Sequence, residues 1–314
     1  MKIIFFGTPD TAVPFLKELA GTEHVAGVFT QPDKPSSRGQ HIQKPPVKVF
    51  AEQNNLKIFQ PEKFTPETIE LVKKLEPDLG VVVAYGRLIP ESVYSIPKLG
   101  CFNIHFSLLP KYRGAAPVQW SLINGEKETG VTTFFLEKTL DSGPVIVQKK
   151  MEISEKDDAA SLFEKLIPLG LFAMCQSISL VQEKSFKPKP QEGEPTFAHC
   201  LKKEIGQISW AMPAFKIYDL IRGTKPWPGA YTKIASGPIQ GHTLKILKAS
   251  LIASESGENI AHGTIKEIVK NIGFVVKCGS GFLRIEEVHP ENKKLMSAWA
   301  FLQGGHYKVG DKIF

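Results

Sequence analysis

Over its first half the chain alternates short apolar runs with longer stretches in which apolar residues recur every three or four positions. Lys2 to Phe6 (KIIFF) is a strand-like run that stops at Gly7-Thr8-Pro9-Asp10, after which Ala12, Val13, Phe15, Leu16 and Leu19 give a helical stripe. Val25 to Thr30 and the short Lys57 to Gln60 read as the next strands. Ile69, Leu71, Val72 and Leu75 mark a helix, and Leu79 to Tyr85 (LGVVVAY) is continuously apolar and rich in β-branched residues. Cys101 to Phe106 (CFNIHF) is a further strand, Ala115 to Asn124 a helix, Thr129 to Leu136 and Pro144 to Lys150 two strands about a turn, and Ala159 to Val181 one or two helices. Strands that are apolar on both faces and alternate with helices predict an α/β fold around a doubly wound, mostly parallel sheet.

The pattern breaks at Lys184 to Pro195 (KSFKPKPQEGEP), where prolines and charges replace any apolar period, as in a linker. Beyond it, Met212 to Arg222 reads as a helix with Pro213 at its start. Tyr231–Ile234, Thr243–Leu251, His262–Val269, Gly273–Lys277 and Gly281–Val288 are β-like runs punctuated by glycine. Such spacing predicts a small β-barrel or sandwich. The expected organisation is therefore a domain over 1–183, a linker over 184–204 and a β-domain over 205–314. Trp210, Trp227 and Trp299 are expected to pack rather than to serve as stacking platforms.

Charge sharpens this division. The whole chain of 314 residues carries +7, yet residues 1–200 hold 23 basic and 23 acidic side chains, whereas 201–314 hold 16 and 9. The excess lies entirely in the last third, which suits either a solvated basic surface or a polyanionic partner. A second local excess falls in the apolar-poor stretch Gln31 to Lys48, where Lys34, Arg38, Lys44 and Lys48 face Asp33 alone; a loop of that length is expected to be functional. Four scattered cysteines without a CxxC pair, and eight histidines without HExxH, predict neither disulfides nor a metal. No uninterrupted apolar run reaches 18 residues and the first residues lack a signal-peptide layout, so a cytoplasmic protein without a membrane span is expected.

Candidate chemistry concentrates in Asn103 to Pro117 (NIHFSLLPKYRGAAP). Asn103 and His105 are two residues apart, so one face of the strand carries both. His105 admits two readings, a satisfied core histidine or a catalytic one. The loop that follows is shaped by Pro110, Gly114 and Pro117, and Leu140-Asp141-Ser142-Gly143 adds a carboxylate in a tight turn. Asn, His and Asp without a Ser or Cys nucleophile suit a transfer in which the substrate supplies the nucleophile. The first glycine turn lacks GxGxxG, and no acidic residue ends the second strand, which argues against NAD.

Asn103-x-His105, SLLPKYRGAAP and LDSGPVI closely resemble the folate-dependent formyltransferases. FGTPDTAVPFL, GVFTQPDKPSSRGQ, PPVK, VVVAYGRLIP, ETGVT and KPWPGAY extend the resemblance over nearly the whole chain, toward members that act on a charged tRNA. The resemblance implies a Rossmann-like formyltransferase domain with an OB-like carboxy-terminal barrel, 10-formyltetrahydrofolate as donor without a metal, and the amino group of initiator methionyl-tRNA as acceptor, in a monomeric enzyme. It implies Asn103 and His105 as oxyanion donors, with Asp141 orienting His105. Folate contacts are expected from Ser107, Leu108, Leu109 and Pro110 and from the backbone of Val83, Ala84, Tyr85 and Gly86. For the tRNA, it implies Arg38 as leading contact, with Lys34, Lys44 and Lys48, and in the carboxy-terminal domain Lys245 and Lys248. Many relatives have Gly where this chain has Phe106, a ring expected to narrow the folate side of the cleft. The alternatives are transfer to an amino-sugar nucleotide, hydrolysis of the formyl donor, and a catalytically silent RNA-binding protein.

Overall fold

A computed structural model describes residues 1–35, 42–253 and 260–314 of the chain. β1 (Lys2–Gly7), α1 (Val13–Thr22) and β2 (His24–Phe29) come first, followed by a two-stranded ribbon of β3 (Lys34–Pro35) and β4 (Ile42–Gln43). Next are α2 (Pro46–Gln53), β5 (Ile58–Phe59), α3 (Pro66–Lys74), β6 (Leu79–Val83), α4 (Glu91–Tyr94) and β7 (Cys101–His105). β8 (Arg113–Gly114), α5 (Pro117–Ile123), β9 (Glu128–Phe135), β10 (Val145–Glu152), α6 (Ala159–Val181) and β11 (Phe197–Ala198) complete this half. The chain divides into one unit of Met1–Pro117, Glu128–Glu152 and Phe163–His199, and a second of Val118–Lys127, Ile153–Leu162 and Cys200–Phe314.

The first unit is built on a sheet of order β10-β9-β7-β6-β1-β2-β5. From β5 to β7 the neighbours are parallel; β9 joins β7, and β10 joins β9, antiparallel. This is the predicted mostly parallel, doubly wound sheet, and its central strands are apolar because both faces are covered. Ile4, Phe6, Phe29, Val82 and Tyr85 form one face's core with Val72 of α3 and Val93 of α4. On the other face Phe15 of α1 meets Phe106 edge-on at 6.1 Å, and Phe106 meets Phe163 of α6 at 5.5 Å.

Two departures from the sequence reading have local causes. The stretch Gln31 to Lys48 is not one loop: it carries the β3–β4 ribbon and the start of α2, where Pro46 sits in the first turn, a place a proline tolerates. Ala159 to Val181 is a single helix that runs through Pro168. A helix-interior proline costs about 3 kcal/mol. Leu166 and Met174 are fully buried, and at roughly 1.5–3 kcal/mol for such a side chain they offset it. By length and composition α6 could cross a membrane; it carries Glu164 and Lys165.

In the second unit, a 3-10 turn at Lys203–Gly206 precedes α7 (Ala214–Thr224) and β12 (Ala230–Lys233), then β13 (Thr243–Ile252), β14 (Ile265–Val269), β15 (Gly273–Lys277), β16 (Phe282–Pro290), β17 (Met296–Ser297) and α8 (Ala298–Gly305). The strands form an antiparallel sheet of order β12-β13-β16-β15-β14, with β17 added to β16. Trp210 packs as expected, stacked on Phe314 at 4.6 Å with its Nε1 donating to Thr232 Oγ1 at 3.0 Å. Trp227 does not: it is 59% exposed. Asp219 and Arg222 of α7 form a buried pair at 2.8 Å, and burial pushes the Asp219 carboxyl above its ordinary range despite the guanidinium.

Candidate active site

From β1 the chain winds outward to β2 and β5, then returns across β1 to β6, so neighbouring β1 and β6 leave their carboxyl ends in opposite directions. Ligands of open α/β sheets bind at this kind of switch point. Thr8, just after β1, donates its hydroxyl to the Tyr85 carbonyl at 2.8 Å, and Gln31 Nε2 donates to the same oxygen at 2.9 Å. The turn Ala84–Gly86 that ends β6 is thus pinned. Val83 and Tyr85 are buried, whereas Ala84 (φ 47°) and Gly86 (φ 78°) are exposed and left-handed.

Asn103 and His105 project from the same face of β7. Among the described residues the Asn103 amide takes no hydrogen-bond partner. His105 is buried, with Phe134 edge-on at 6.3 Å. Its Nε2 lies 2.8 Å from the Tyr112 carbonyl, and its Nδ1 lies 3.7 Å from Asp141 Oδ2. A carbonyl only accepts, so Nε2 carries the hydrogen and Nδ1 is the nitrogen turned to Asp141. At 3.7 Å the second contact is an ion-pair distance rather than a direct hydrogen bond. The Asp141 side chain is 9% exposed, and its carboxylate accepts the Gly114 amide at 2.7 Å.

Asp141 is held there by a left-handed turn (φ 50°) that closes on Gly143, where a Cβ would overlap the Phe135 carbonyl oxygen. Only glycine fits that approach. Gln191 fixes the turn from outside: its Nε2 donates to the carbonyls of Asp141 and Gly143 at 2.8 and 2.9 Å, while its Oε1 accepts from Arg113 Nε and Nη2 at 3.1 and 2.6 Å. Gln191 lies in the stretch that composition marks as linker, which is held to β10 by reciprocal bonds between Lys189 and Val145. Nothing in a proline- and charge-rich segment signals such a role.

The Ser107 to Pro110 loop is fastened from beneath. Ser107 Oγ donates to the Lys111 carbonyl at 2.6 Å; Leu109 N donates to Thr132 Oγ1 at 3.2 Å, and Leu109 O accepts from Gln148 Nε2 at 2.9 Å. Ser107 and Leu109 are buried, Leu108 and Pro110 half-buried, and the Leu109–Pro110 bond is cis. Thr132 and Gln148 carry no motif and are visible only once β9 and β10 are paired. Phe106 does not narrow the folate side: it points from the face of β7 opposite Asn103 and His105, into the aromatic core between α1 and α6.

The basic residues fare differently from one another. Lys48 is paired with Asp33 at 2.7 Å and Lys44 with Glu52 at 2.8 Å, while Lys34 is exposed. Hydrogen bonds from Gln60 and Lys48 hold the Asp33 carboxyl below its ordinary range. Arg38 lies outside the described residues. On β13 a bulge at Leu247 puts Lys245 opposite His289 and Lys248 opposite Glu287, both exposed positions of β16, so two lysines three apart share a face. Lys245 Nζ is 3.4 Å from the Pro228 carbonyl, and Lys248 Nζ is 3.4 Å from Glu286. Among the described residues no cluster of three or more His, Cys, Asp or Glu could hold a metal.

A doubly wound sheet with Asn and His on the strand next to its switch point and an Asp facing the His, followed by an antiparallel β-unit, places the molecule among the formyl transferases. The family model for formyl transferase matches residues 1–178, and that for the formyl transferase carboxy-terminal domain matches 200–306. The methionyl-tRNA formyltransferase of Endomicrobium trichonymphae is 45% identical over 313 residues, covering 100% of both chains; that of Thermodesulfovibrio yellowstonii is 44% identical, over 99% of this chain and 98% of its own. The chain belongs to the methionyl-tRNA formyltransferase family. Among solved structures, the sugar 3N-formyl transferase WlaRD, in the presence of dTDP and 5-N-formyl-THF, matches with a TM-score of 0.66 at 23% identity, over 94% of this chain and 99% of its own. HypX from Aquifex aeolicus, in complex with tetrahydrofolic acid, matches with a TM-score of 0.63 at 16% identity; the chain spans 48% of HypX. At such identities these two speak for the fold alone.

Proposed function

We propose that the protein transfers the formyl group of 10-formyltetrahydrofolate to the amino group of initiator methionyl-tRNA, and that Asn103, His105 and Asp141 carry the reaction. The observation that supports the assignment is the His105–Asp141 pair, with Nε2 of the buried ring committed to Tyr112 and Nδ1 left facing the carboxylate. The amine attacks the formyl carbon, giving a tetrahedral oxyanion. The carbon–N10 bond then breaks, its electron pair stays on N10, and N10 gains a proton while the attacking nitrogen loses one.

In the neutral ring Nδ1 is the free base, so His105 takes the amine's proton there. Asp141 stabilises the imidazolium that results, and the Nδ1–H is then given to the departing N10. The Asn103 amide donates to the oxyanion, a contact worth about 2.7–4 kcal/mol. Apolar strand ends and the backbone groups of Val83–Gly86 and Ser107–Pro110 suit the edges of a pterin, and the basic surfaces suit the RNA phosphates.

Asp141→Asn, His105→Ala and Asn103→Asp proteins should melt near the wild-type temperature yet lose formylation, the first by about 100- to 10,000-fold. Near-normal turnover in all three would reject the assignment. Supplying charged initiator tRNA, an amino-sugar nucleotide or buffer alone with 10-formyltetrahydrofolate identifies the acceptor: the formyl group should appear on the tRNA only.

A further inference from the structure

Phe197 is 56% exposed, although its backbone is paired with β8. Its neighbour Ala198 is fully buried, and the Ala198 carbonyl accepts the amides of Ala115 and Ala116 at 2.8 and 3.2 Å. β11 runs parallel to β8 in the register Arg113↔Phe197 and Gly114↔Ala198. A Cβ on Gly114 would come within 2.6 Å of the Ala198 carbonyl oxygen, so the two strands lie too close to admit a side chain there. The register puts Phe197 beside Arg113, about 4.8 Å away from backbone to backbone. The next residue on β8, Gly114, is the one whose amide holds the Asp141 carboxylate.

The Phe197 ring does not turn inward. It lies nearly parallel to the His199 ring, with an interplanar angle of 16° and centroids 6.3 Å apart. Arg113 beside it is steadied by two bonds to Gln191 through Nε and Nη2, which leaves the Nη1 end of the guanidinium without a partner among the described residues. A flat, exposed aromatic surface on a rigid strand, flanked by a cation and one strand from the reacting groups, matches a planar base attached to a phosphate-bearing sugar.

We propose that Phe197, backed by His199 and flanked by Arg113, is the platform on which the terminal base of the acceptor RNA stacks, setting the esterified amine over His105 and Asp141. The inference rests on the reading of the acceptor as a charged tRNA. The reacting amine is carried on the ribose of the terminal nucleoside, so the base of that nucleoside must lie beside the reaction centre, where this surface is.

The test uses full-length protein and initiator tRNA whose terminal adenine is replaced by 2-aminopurine, a base whose fluorescence falls on stacking. Wild-type protein should quench it on binding. Phe197→Ala and Phe197→Leu should not, and Phe197→Tyr should restore the quench; the Leu variant keeps the apolar bulk if Ala disturbs folding. In steady state Phe197→Ala should raise KM for charged tRNA about tenfold, within the range of base–aromatic stacking, while kcat and the donor KM stay unchanged. A quench that persists in the Ala and Leu variants, or an unchanged tRNA KM, overturns the proposal. So does a rise in the donor KM, which would place the ring in the folate site instead. Failure of the wild-type protein to formylate charged tRNA would refute the proposed function, whereas the quench reads the platform independently of turnover.

Discussion

Asp141 owes its position less to its own contacts than to Gly143 and Gln191. Gly143 lets the chain pass against the Phe135 carbonyl, and Gln191 ties the Asp141 and Gly143 carbonyls to Arg113. The carboxylate is then aimed at His105 Nδ1 without being hydrogen-bonded to it, which leaves it able to respond to the ring's charge. Gln191→Ala removes both anchors while touching no reacting atom. It should lower kcat roughly tenfold, the equivalent of about 1.4 kcal/mol and typical of a lost hydrogen bond, with the KM values for donor and acceptor little changed. Gly143→Ala should cost more, because the turn itself must move. Stopped-time formylation assays beside melting curves separate the two: a Gln191→Ala protein with wild-type kcat would remove Gln191 from the positioning of Asp141. His105 shows a comparable division, with one nitrogen spent on Tyr112 and the other left facing Asp141.

Elements whose two faces differ in polarity, or that are apolar throughout, were legible in the sequence. β1, β2, β6, β7, β9 and β10 fall where the apolar runs predict them, and α7 begins just after Pro213 as its sequence suggests. Asn103 and His105 could be read as one face because period two holds along an unbroken strand. Where pairing overrides local pattern, the sequence was silent. The β3–β4 ribbon has two-residue strands with no alternation to read. α8 follows directly on β17, and its start depends on Ser297 capping Ala300 N at 3.1 Å. The bulge at Leu247 reverses the alternation that would have set Lys245 and Lys248 on opposite faces. That bulge also gathers charge around Glu286. Burial alone would raise its carboxyl, but hydrogen bonds from Ser250, Arg284 and Lys248 outweigh burial and hold it below the ordinary 4.5. A depressed carboxyl contributes stability above the unfolded value and loses it as pH falls through the folded one. Glu286→Gln should therefore lower the melting temperature at neutral pH, and the gap from wild type should close as pH drops below 4.5. A gap that stays constant into acid would assign the loss to packing instead of charge.

Net charge, read along the chain, marks two basic regions, the stretch 31–48 and the last third, and the side chains within them are not equally free. Within 31–48, Lys44 and Lys48 are matched by Glu52 and Asp33, and Lys48 is largely covered, so neither can meet a phosphate without abandoning a carboxylate. In 201–314, 16 basic residues face 9 acidic ones, and Lys245 rests on a carbonyl rather than on an acid. Phosphate contacts set the salt dependence of RNA binding, with a slope of roughly one per ion released. If Lys245 is such a contact, Lys245→Ala should flatten the plot of log kcat/KM for tRNA against log salt by about one. Lys248→Ala should flatten it less, since Glu286 already neutralises part of that charge, and Lys48→Ala should leave it nearly unchanged. Donor kinetics should not respond to salt in any of the three, if the folate is recognised as proposed through the backbone of Val83–Gly86 and Ser107–Pro110. Equal slopes for all three variants would mean that tRNA binding breaks the Asp33 and Glu286 pairs, and that these carboxylates compete with the phosphates; in that case Asp33→Asn and Glu286→Gln should each tighten tRNA binding at low salt.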